Sequence, residues 1–352
     1  MKGRQSNGRD SAVADLMALA ECVERFEGKR VVVLGDFVAD SFQSGEITRV
    51  SREAPVLILR HRQTEIVPGG GANAANNFAA LGARVYPVSV VGDDAAADSL
   101  VAQFRKKKVD VSGLLQVKGR PTPTKTRFLA GWTHTVGQQV LRVDYEPNTP
   151  LRESHLRKIR SLVKARVKTA DALAISDYGF GVVSPQTARA VVSEVKRQIP
   201  ISLDSRYQLT AFRRTGVTTA TPNEAELEAL HHTTIGRNTA ELERCGRATL
   251  RAMQLTSLVV TRGKDGMAVF EPGRPTAHIP IHGSDQAVDV TGAGDTVLAA
   301  YTMALASGAS VIEAAHIANI AGGLVVMKRG TATVTREELL AAIRNAASET
   351  TS

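Results

Sequence analysis

The stretch DVTGAGDTVLAA, residues 289–300, sets two glycines around an alanine, follows them with an aspartate, and then becomes apolar. Glycine lets the backbone turn so that consecutive N–H groups point into one cavity, and a following helix adds the positive end of its dipole. We therefore expect the backbone of Gly292, Ala293 and Gly294 to form a pocket for an anion, best suited to charge that grows during a reaction.

Asp295 stands beside this expected pocket. A carboxylate there would weaken stable anion binding, so it needs another role, and accepting a proton from an attacking hydroxyl is one. An anion hole with an adjacent base describes phosphoryl transfer to an alcohol. The alternative is a first-turn aspartate favoured by the helix dipole, with glycines that only make a turn.

Outward from this stretch, short apolar runs alternate with helical patterns, most regularly from about residue 150 onward. This alternation predicts an α/β fold, a doubly wound and mostly parallel sheet with helices on both faces. Two strand-rich pieces, at about 43–67 and 122–145, do not fit that sheet, and we interpret them as one small β lid. The predicted division is an N-terminal arm (1–10) and helix (11–27) within 1–28, one large domain over 29–345, and a polar tail over 346–352.

The composition limits the partners. A formal net charge of +9 fits anionic partners such as phosphorylated small molecules. Aromatic residues are only 4% and none interleaves with the densest basic run, 105–108, which argues against nucleic acid. Two distant cysteines without a metal-ligand pattern predict a reducing, cytoplasmic location. The pattern contains neither a signal peptide nor a membrane-spanning run, so we expect no membrane partner.

Polar residues follow the ends of the predicted strands, where ligands bind in an open α/β sheet. Such an acidic rim on a basic protein makes sense if its carboxylates hold Mg²⁺ or take a proton from a hydroxyl. The rim includes Asp36, Asp40, Asp177, Asp204, Arg206, Asn223, Glu226, Asp289 and Asp295.

Two further motifs each allow a functional and a structural interpretation. PGGGANAANN, residues 68–77, is a weak dinucleotide fingerprint. A better interpretation is that the Gly70–Gly71 backbone closely approaches a polyhydroxyl ligand, with Asn73 nearby. The structural alternative is that the glycines permit tight helix packing. In TPNEAE, residues 221–226, Asn223 could touch phosphate and Glu226 could orient Mg²⁺ through water. The same two residues also resemble a helix capping box.

In this order, these pieces resemble the ribokinase-like (PfkB) carbohydrate kinases over about residues 29–340. VDVTGAGDT matches the family signature and PGGGANAANN its first glycine motif. The string GDFVADSFQSGEITRVSREAPV is similar to bacterial D-glycero-β-D-manno-heptose-7-phosphate kinases, in which ATP phosphorylates the anomeric oxygen and gives the 1,7-bisphosphate. Three positions depart from that subgroup: Phe180 and Arg206 stand where it has lysines, and Arg52 where it has a proline.

The resemblance implies a role for each matching residue. Asp295 would be the base, and Gly292, Ala293 and Gly294 would form the anion hole. Asp289 would hold a monovalent cation such as K⁺, and Asn223 and Glu226 would serve ATP phosphate and Mg²⁺. The residues that would bind sugar hydroxyls are Asp36, Asp40, Gly70, Gly71 and Asn73, and those that would lie near the nucleotide are Gly263, Lys264 and Asn319. It also implies a homodimer that pairs through the lid strands.

An anionic substrate also needs cations, and arginine suits phosphate by its fork of donors. The lid region supplies Arg49, Arg52, Lys125, Arg127 and Arg142. The predicted function is an ATP-dependent kinase of heptose 7-phosphate. The alternatives are a related kinase of another sugar or sugar phosphate, and a non-catalytic ribokinase-like binding protein, against which the intact Asp295 argues.

Overall fold

The structure, a computed structural model, describes residues 15–131, 138–284 and 286–351. The strands in these ranges are β1 (Arg30–Gly35), β2 (Phe37–Val50), β3 (Leu57–Gly70), β4 (Arg84–Val91), β5 (Leu114–Gln116), β6 (Thr124–Gly131), β7 (Gln138–Tyr145), β8 (Ala172–Asp177), β9 (Ile201–Ser205), β10 (Thr219–Ala220), β11 (Ser257–Thr261), β12 (Met267–Phe270) and β13 (Ala277–Ile279). The helices are α1 (15–24), α2 (Gly71–Ala80), α3 (Ala95–Lys106), α4 (Glu153–Val167), α5 (Pro185–Val192), α6 (Glu224–His231), α7 (Thr239–Met253), α8 (Ala293–Ala306), α9 (Val311–Val325) and α10 (Arg336–Thr351).

A nine-stranded sheet forms the centre of the molecule, in the order β13-β12-β11-β10-β9-β8-β1-β4-β5. The strands from β11 to β5 pair in parallel, whereas β12 and β13 extend the sheet antiparallel. Parallel strands bring their carboxyl ends to one edge, so the polar residues that follow β8, β9, β10 and β11 meet there.

Side chains of the central strands alternate between two apolar layers, as the two-residue period of a strand requires. In β1, Val31 and Val33 join the layer formed with α1, α2, α3, α8, α9 and α10. Val32 and Leu34 join the layer formed with α4, α5, α6 and α7. Helices cover both faces, and the predicted doubly wound, mostly parallel α/β fold is confirmed.

The predicted lid is a separate four-stranded sheet in the order β3-β2-β6-β7. Strand β2 begins two residues after β1 ends, and β3 leads directly into α2, so the lid leaves the central sheet beside its ligand-binding edge. The pair β2 and β6 is parallel and joins the two inserted pieces into one sheet. The part of the predicted lid at 132–137 lies outside the described residues.

Both ends of the described chain pack on the large domain. Val23 and Phe26, at the end of α1, are buried in the same layer as α8, while the predicted arm at 1–10 lies outside the described residues. The polar tail predicted over 346–352 is instead, over its described residues 346–351, the continuation of α10. Its Ala347 is 6% exposed and lies four residues after the buried Ile343, on one helix face.

Two smaller differences and one absence complete the fold. Helix α5 is short and ends at Val192, although the apolar pattern that follows β8 predicts a helix over 185–198. Short pieces that sequence periodicity did not resolve, β5 and β13, extend the two edges of the sheet. Within the described ranges, no helix is both long and apolar enough to cross a membrane.

Candidate active site

A cleft of about 660 Å³ lies over the carboxyl ends of β8, β9, β10 and β11. The amino end of α8, the carboxyl half of α9 and the lid strands β6 and β7 form its walls. The residues predicted from sequence that line it are Lys125, Arg127, Arg142, Asn223, Glu226, Gly263, Lys264, Gly292, Ala293, Gly294, Asp295 and Asn319. The fold thus gathers most of the predicted site in one place.

Asp295 is 3% exposed and lies in the first turn of α8. Two neutral donors hold its carboxylate: Asn73 Nδ2 donates to Oδ2 at 2.8 Å, and the Tyr178 hydroxyl donates to Oδ1 at 3.2 Å. Burial raises the pKa of Asp295 to about 7, although both hydrogen bonds act to lower it. A carboxylate with this pKa can accept and release a proton near neutral pH.

The turn before α8 depends on Gly292, whose φ is 78°. A Cβ atom at this position would lie 2.5 Å from Asn73 Nδ2, the atom that binds Asp295, so glycine is required for conformation and for space. The N–H groups of Gly292 and Gly294 have no acceptor in the described part of the chain. The Ala293 N–H donates to Val290 O at 3.2 Å, so its predicted place in the anion hole is not supported.

The predicted sugar-binding residues divide into two groups. Asp40 lies at the lid and pairs with Arg127, whose Nη1 is 2.6 Å from Oδ1. Asp36 differs from the expectation, because it is fully buried and both its oxygens accept hydrogen bonds from backbone amides. Asn73 is also fully buried and serves Asp295. These two residues support the site from behind rather than line the cleft.

The glycines of the first glycine motif are needed for close packing. A Cβ at Gly71 would lie 2.9 Å from the Gly35 Cα. Gly70 has a φ of 53°, and a Cβ there would lie 2.8 Å from Val38 and 3.3 Å from the Tyr178 ring. Neither glycine lines the cleft, so the structural alternative for this motif fits better than a direct sugar contact.

The predicted cations do not all reach the cleft. Lys125, Arg127 and Arg142 line it, whereas Arg49 is exposed near the distal end of β2. Arg52 lies in the exposed turn between β2 and β3, away from the cleft.

Asn223 and Glu226 form the capping box of α6 and also line the cleft. Glu226 N donates to Asn223 Oδ1 at 2.8 Å, and Asn223 N donates to Glu226 Oε2 at 2.9 Å. The capping interpretation is confirmed, and the functional one stays a prediction that capping permits, because Glu226 Oε1 has no hydrogen-bond partner in the described residues. Gly263, Lys264 and Asn319 lie along the same side of the cleft, where Asn319 donates to Pro280 O at 2.8 Å.

Carboxylate oxygens are the ligands that Mg²⁺ prefers, often only one or two of them together with phosphate oxygens. Asp204 also lines the cleft, close enough to Glu226 to feel the charge of that carboxylate. Burial first, and the Glu226 charge next, raise the pKa of Asp204 well above its usual value. The Asp204 side chain makes no hydrogen bond or ion pair within the described residues. These two residues fit Mg²⁺ bound with phosphate, although the described residues contain no cluster of three or more metal-binding side chains.

Asp289 lies beside the glycine turn rather than in the cleft. Its Oδ1 accepts a hydrogen bond from Thr291 N and its Oδ2 one from Gly330 N, both at 2.9 Å. Burial opposes the effect, but these hydrogen bonds hold the pKa of Asp289 below its usual value. The charged carboxylate ties the turn to residue 330, and its assignment to a monovalent cation stays a prediction.

Sequence reasoning missed three groups in the cleft. Tyr178 directly follows β8 in SDYG, one position after a rim aspartate, so its place at a strand end was the available signal. Asp204 was recognised at the rim but given no role. The Thr221 hydroxyl is buried, lines the cleft and has no hydrogen-bond partner among the described residues.

Comparisons with known proteins agree with this arrangement. Residues 29–338 match the model of the pfkB family of carbohydrate kinases. Two curated relatives, both named bifunctional protein HldE, come from Mesorhizobium japonicum (39% identical over 327 residues) and Geobacter sulfurreducens (38% over 313 residues). The matches cover 92% and 89% of this chain but 64% and 62% of the relatives, so the chain spans less than two thirds of their length.

Solved structures share the fold. Arabidopsis thaliana ribokinase, complexed with ribose and ATP, superposes with a TM-score of 0.70 at 21% identity, covering 90% of this chain and 99% of that one. Escherichia coli phosphofructokinase-2, in complex with potassium, gives 0.71 at 20% identity, covering 91% and 99%. The match over residues 29–338 shows that the chain belongs to the pfkB family of carbohydrate kinases.

Proposed function

We propose that this sugar kinase uses ATP to phosphorylate the anomeric oxygen of D-glycero-β-D-manno-heptose 7-phosphate. The observation that carries the proposal is the position of Asp295, a buried carboxylate held by neutral donors beside the free amides of Gly292 and Gly294. The similarity of residues 35–56 to heptose 7-phosphate kinases supports the choice of sugar. The HldE relatives are consistent with it.

The chemical step follows from this geometry. The sugar hydroxyl oxygen attacks the γ-phosphorus of ATP, and the bond from that phosphorus to the β–γ bridging oxygen breaks, which releases ADP. The hydroxyl proton passes to the Asp295 carboxylate. Because the pKa of Asp295 is raised to about 7, the carboxylate is a stronger base than an exposed aspartate and is still largely ionised just above neutral pH.

The amides at the start of α8 serve the transferring group. The N–H groups of Gly292 and Gly294 are free to donate to phosphoryl oxygens, and the positive end of the helix adds to their effect. Magnesium, when bound, would neutralise charge on the phosphate oxygens. Glu226 and Asp204 would hold it on the nucleotide side of the cleft.

Two cations without anionic partners favour a phosphorylated acceptor. Lys125, on the lid, and Arg206, after β9, both line the cleft, and neither side chain makes a hydrogen bond or ion pair within the described residues. Burial first, and the charge of Arg206 next, lower the pKa of Lys125. Two like charges that act on each other are stabilised by an anion between them, and the phosphate group of a sugar phosphate is such an anion.

The lid also supports the proposed homodimer. Large apolar side chains are exposed on it, an unusual feature for a surface that stays in water. They are Val50, Val56, Leu57, Val140, Leu141 and Tyr145. A second copy of the chain would cover them, and the molar mass in solution by light scattering tests this directly: a monomer at all concentrations contradicts it.

The experiment is an ADP-release assay over heptose 7-phosphate, unphosphorylated heptose, fructose 6-phosphate, fructose 1-phosphate and ribose. We expect the highest kcat/KM with heptose 7-phosphate and an acid-labile phosphate in the product, because anomeric phosphates hydrolyse readily in acid. Asp295→Asn should lose turnover, while Asp98→Asn, an exposed change on α3, should keep it. A higher kcat/KM with another sugar phosphate would mean that the enzyme is a kinase of that sugar phosphate instead. Absence of turnover with intact ATP binding would favour a binding protein.

A further inference from the structure

Tyr178 makes the one contact to Asp295 that comes from a cleft-lining side chain in the described residues. Its hydroxyl donates to Oδ1 at 3.2 Å, whereas the other donor, Asn73, is fully buried on the far side and binds Oδ2. The two donors fix both oxygens of the carboxylate, so the plane of the base is defined. Each oxygen keeps a further lone pair, and Oδ1 is the one next to the cleft.

The backbone of the Tyr178 loop is itself anchored. Asp36 Oδ2 accepts hydrogen bonds from Tyr178 N at 3.0 Å and Phe180 N at 3.1 Å, and Oδ1 accepts one from Val182 N at 2.8 Å. Arg120, 7% exposed, donates to Phe180 O at 2.7 Å. A buried carboxylate and a buried guanidinium therefore hold this loop, which is more than a surface turn needs for stability alone.

The Tyr178 ring is confined as well. A Cβ at Gly70 would lie 3.3 Å from the Tyr178 Cδ2, and the Lys125 ammonium lies 5.7 Å from the ring centroid. The absence of a side chain at Gly70 thus leaves the space that the ring occupies. This packing leaves the hydroxyl few positions other than the one beside Asp295.

We propose that Tyr178 is a positioning residue for the base: it orients the Asp295 carboxylate and stabilises its ionised form, and Asp36 fixes the loop that carries it. The proposal rests on the proposed function in that Asp295 is taken as the base. It assigns a task to the SDYG segment, and it explains why Asp36, predicted as a sugar ligand, is buried and accepts hydrogen bonds from four backbone amides of residues 178–183 instead.

Several charges surround this pair and act on the same proton. Asp40 from the lid opposes ionisation of Asp295, and Lys125 favours it. Asp204 and Arg206 from the end of β9 act on the Tyr178 hydroxyl with opposite signs. Tyr178→Phe removes only the hydroxyl and leaves all four charges and the ring, so it isolates the hydrogen bond.

The test measures the titration of Asp295 itself. Carboxyl-labelled aspartate is followed by ¹³C NMR against pH, with the Asp295 signal assigned by its loss in Asp295→Asn. In Tyr178→Phe we expect the midpoint to rise by about one pH unit, because a donor to the charged form is lost. The midpoint of the acid limb in the pH profile of kcat/KM should shift to higher pH by the same amount. Tyr207→Phe, which removes an exposed phenol with no hydrogen bond in the described chain, is the matched control and should move neither.

The outcomes separate this proposal from the proposed function. A higher Asp295 midpoint in Tyr178→Phe alone supports it, even if no sugar of the panel is turned over, since the titration needs no substrate. An unchanged midpoint, or an activity lowered equally at every pH, would assign Tyr178 a purely structural role and overturn it. A raised NMR midpoint with an unmoved kinetic limb would also overturn it, because the titrating group would then not limit the reaction.

Discussion

Asp295, on α8, and Asp40, on the lid strand β2, are two buried carboxylates near the same cleft with opposite kinds of partner. Asp40 is paired with Arg127 at 2.6 Å, and the side chains are 7% and 15% exposed. Asp295 has only an amide and a phenol as donors, and burial raises its pKa to about 7. Asp40 thus lies in an ion pair, whereas Asp295, with neutral donors only, can take up a proton near neutral pH.

This difference assigns the roles on the two walls. The wall at α8 carries a carboxylate that can change its protonation state near neutral pH, as the proposed base must, and the lid wall carries an ion pair suited to the proposed substrate contacts. The pattern argues for chemistry at Asp295 and for substrate contacts at the lid. Each prediction below alters one wall, or the strand end at Arg206 between the walls, and leaves the rest of the cleft.

The largest effect is expected from Asp295→Asn, which removes the proton acceptor while keeping the shape of the side chain. We expect kcat to fall by about 10³-fold, the middle of the range for loss of a general base. ATP binding should change little, and calorimetric titration with ATP measures it separately. Equal loss of kcat and ATP affinity would contradict the assignment of Asp295 as the base.

Gly292→Ala disturbs the same wall through the backbone. The turn needs a positive φ, and the new Cβ would lie 2.5 Å from the Asn73 amide that orients Asp295. We expect kcat to fall by about 10²-fold, the loss that a misplacement of a catalytic group by about 1 Å can cause. Gly119→Ala, at a similar φ of 73° but outside the cleft and with nothing within 4 Å of the Cβ, is the matched control, and a similar loss in both variants would remove the steric argument.

At the end of β9, between the two walls, Arg206→Ala tests the binding role of the unpaired cations. We expect KM for the phosphorylated sugar to rise about 10-fold, since one charged hydrogen bond is lost, with kcat little changed. The unphosphorylated sugar should show almost no change in KM. A fall in kcat at constant KM would instead place Arg206 in the chemical step.

The sequence was sufficient for the fold and for the motif at α8. Apolar runs closed by polar residues predicted the strands, and TGAGD predicted both the glycine turn and the position of Asp295, because these depend on local backbone conformation. The capping-box alternative at Asn223 and Glu226 was also visible, since capping is a contact between neighbours in sequence.

The direction in which a side chain points could not be predicted, because tertiary packing sets it. Asp36 and Asp40 are both in GDFVAD, yet Asp36 serves the backbone at 178–183, and Asp40 pairs with Arg127 on a strand far along the chain. Tyr178 gave only the signal of its place at a strand end, and its contact could not be predicted because its partner Asp295 is 117 positions away. The tail over 346–352 looked polar because only one side of α10 is buried.

The smallest effect tests whether the two walls influence each other. In the intact protein, kcat/KM should rise with pH through about 7, because the base must lose its proton before it can accept one from the sugar. Asp40 opposes ionisation of Asp295, so Asp40→Asn should lower the midpoint of this rise by about half a pH unit, the direction opposite to Tyr178→Phe. The pH profile of kcat/KM measures the midpoint separately from any loss of sugar contact, which lowers the curve at every pH.

Asp144→Asn is the matched control for that change. It also removes one lid carboxylate and leaves an arginine, Arg142, without its partner. Asp144 is not among the groups that act most strongly on Asp295, so the midpoint should move much less than in Asp40→Asn. If Asp40→Asn left the midpoint unchanged as well, the lid would act on the sugar alone, and the basicity of Asp295 would depend only on burial and its two neutral donors.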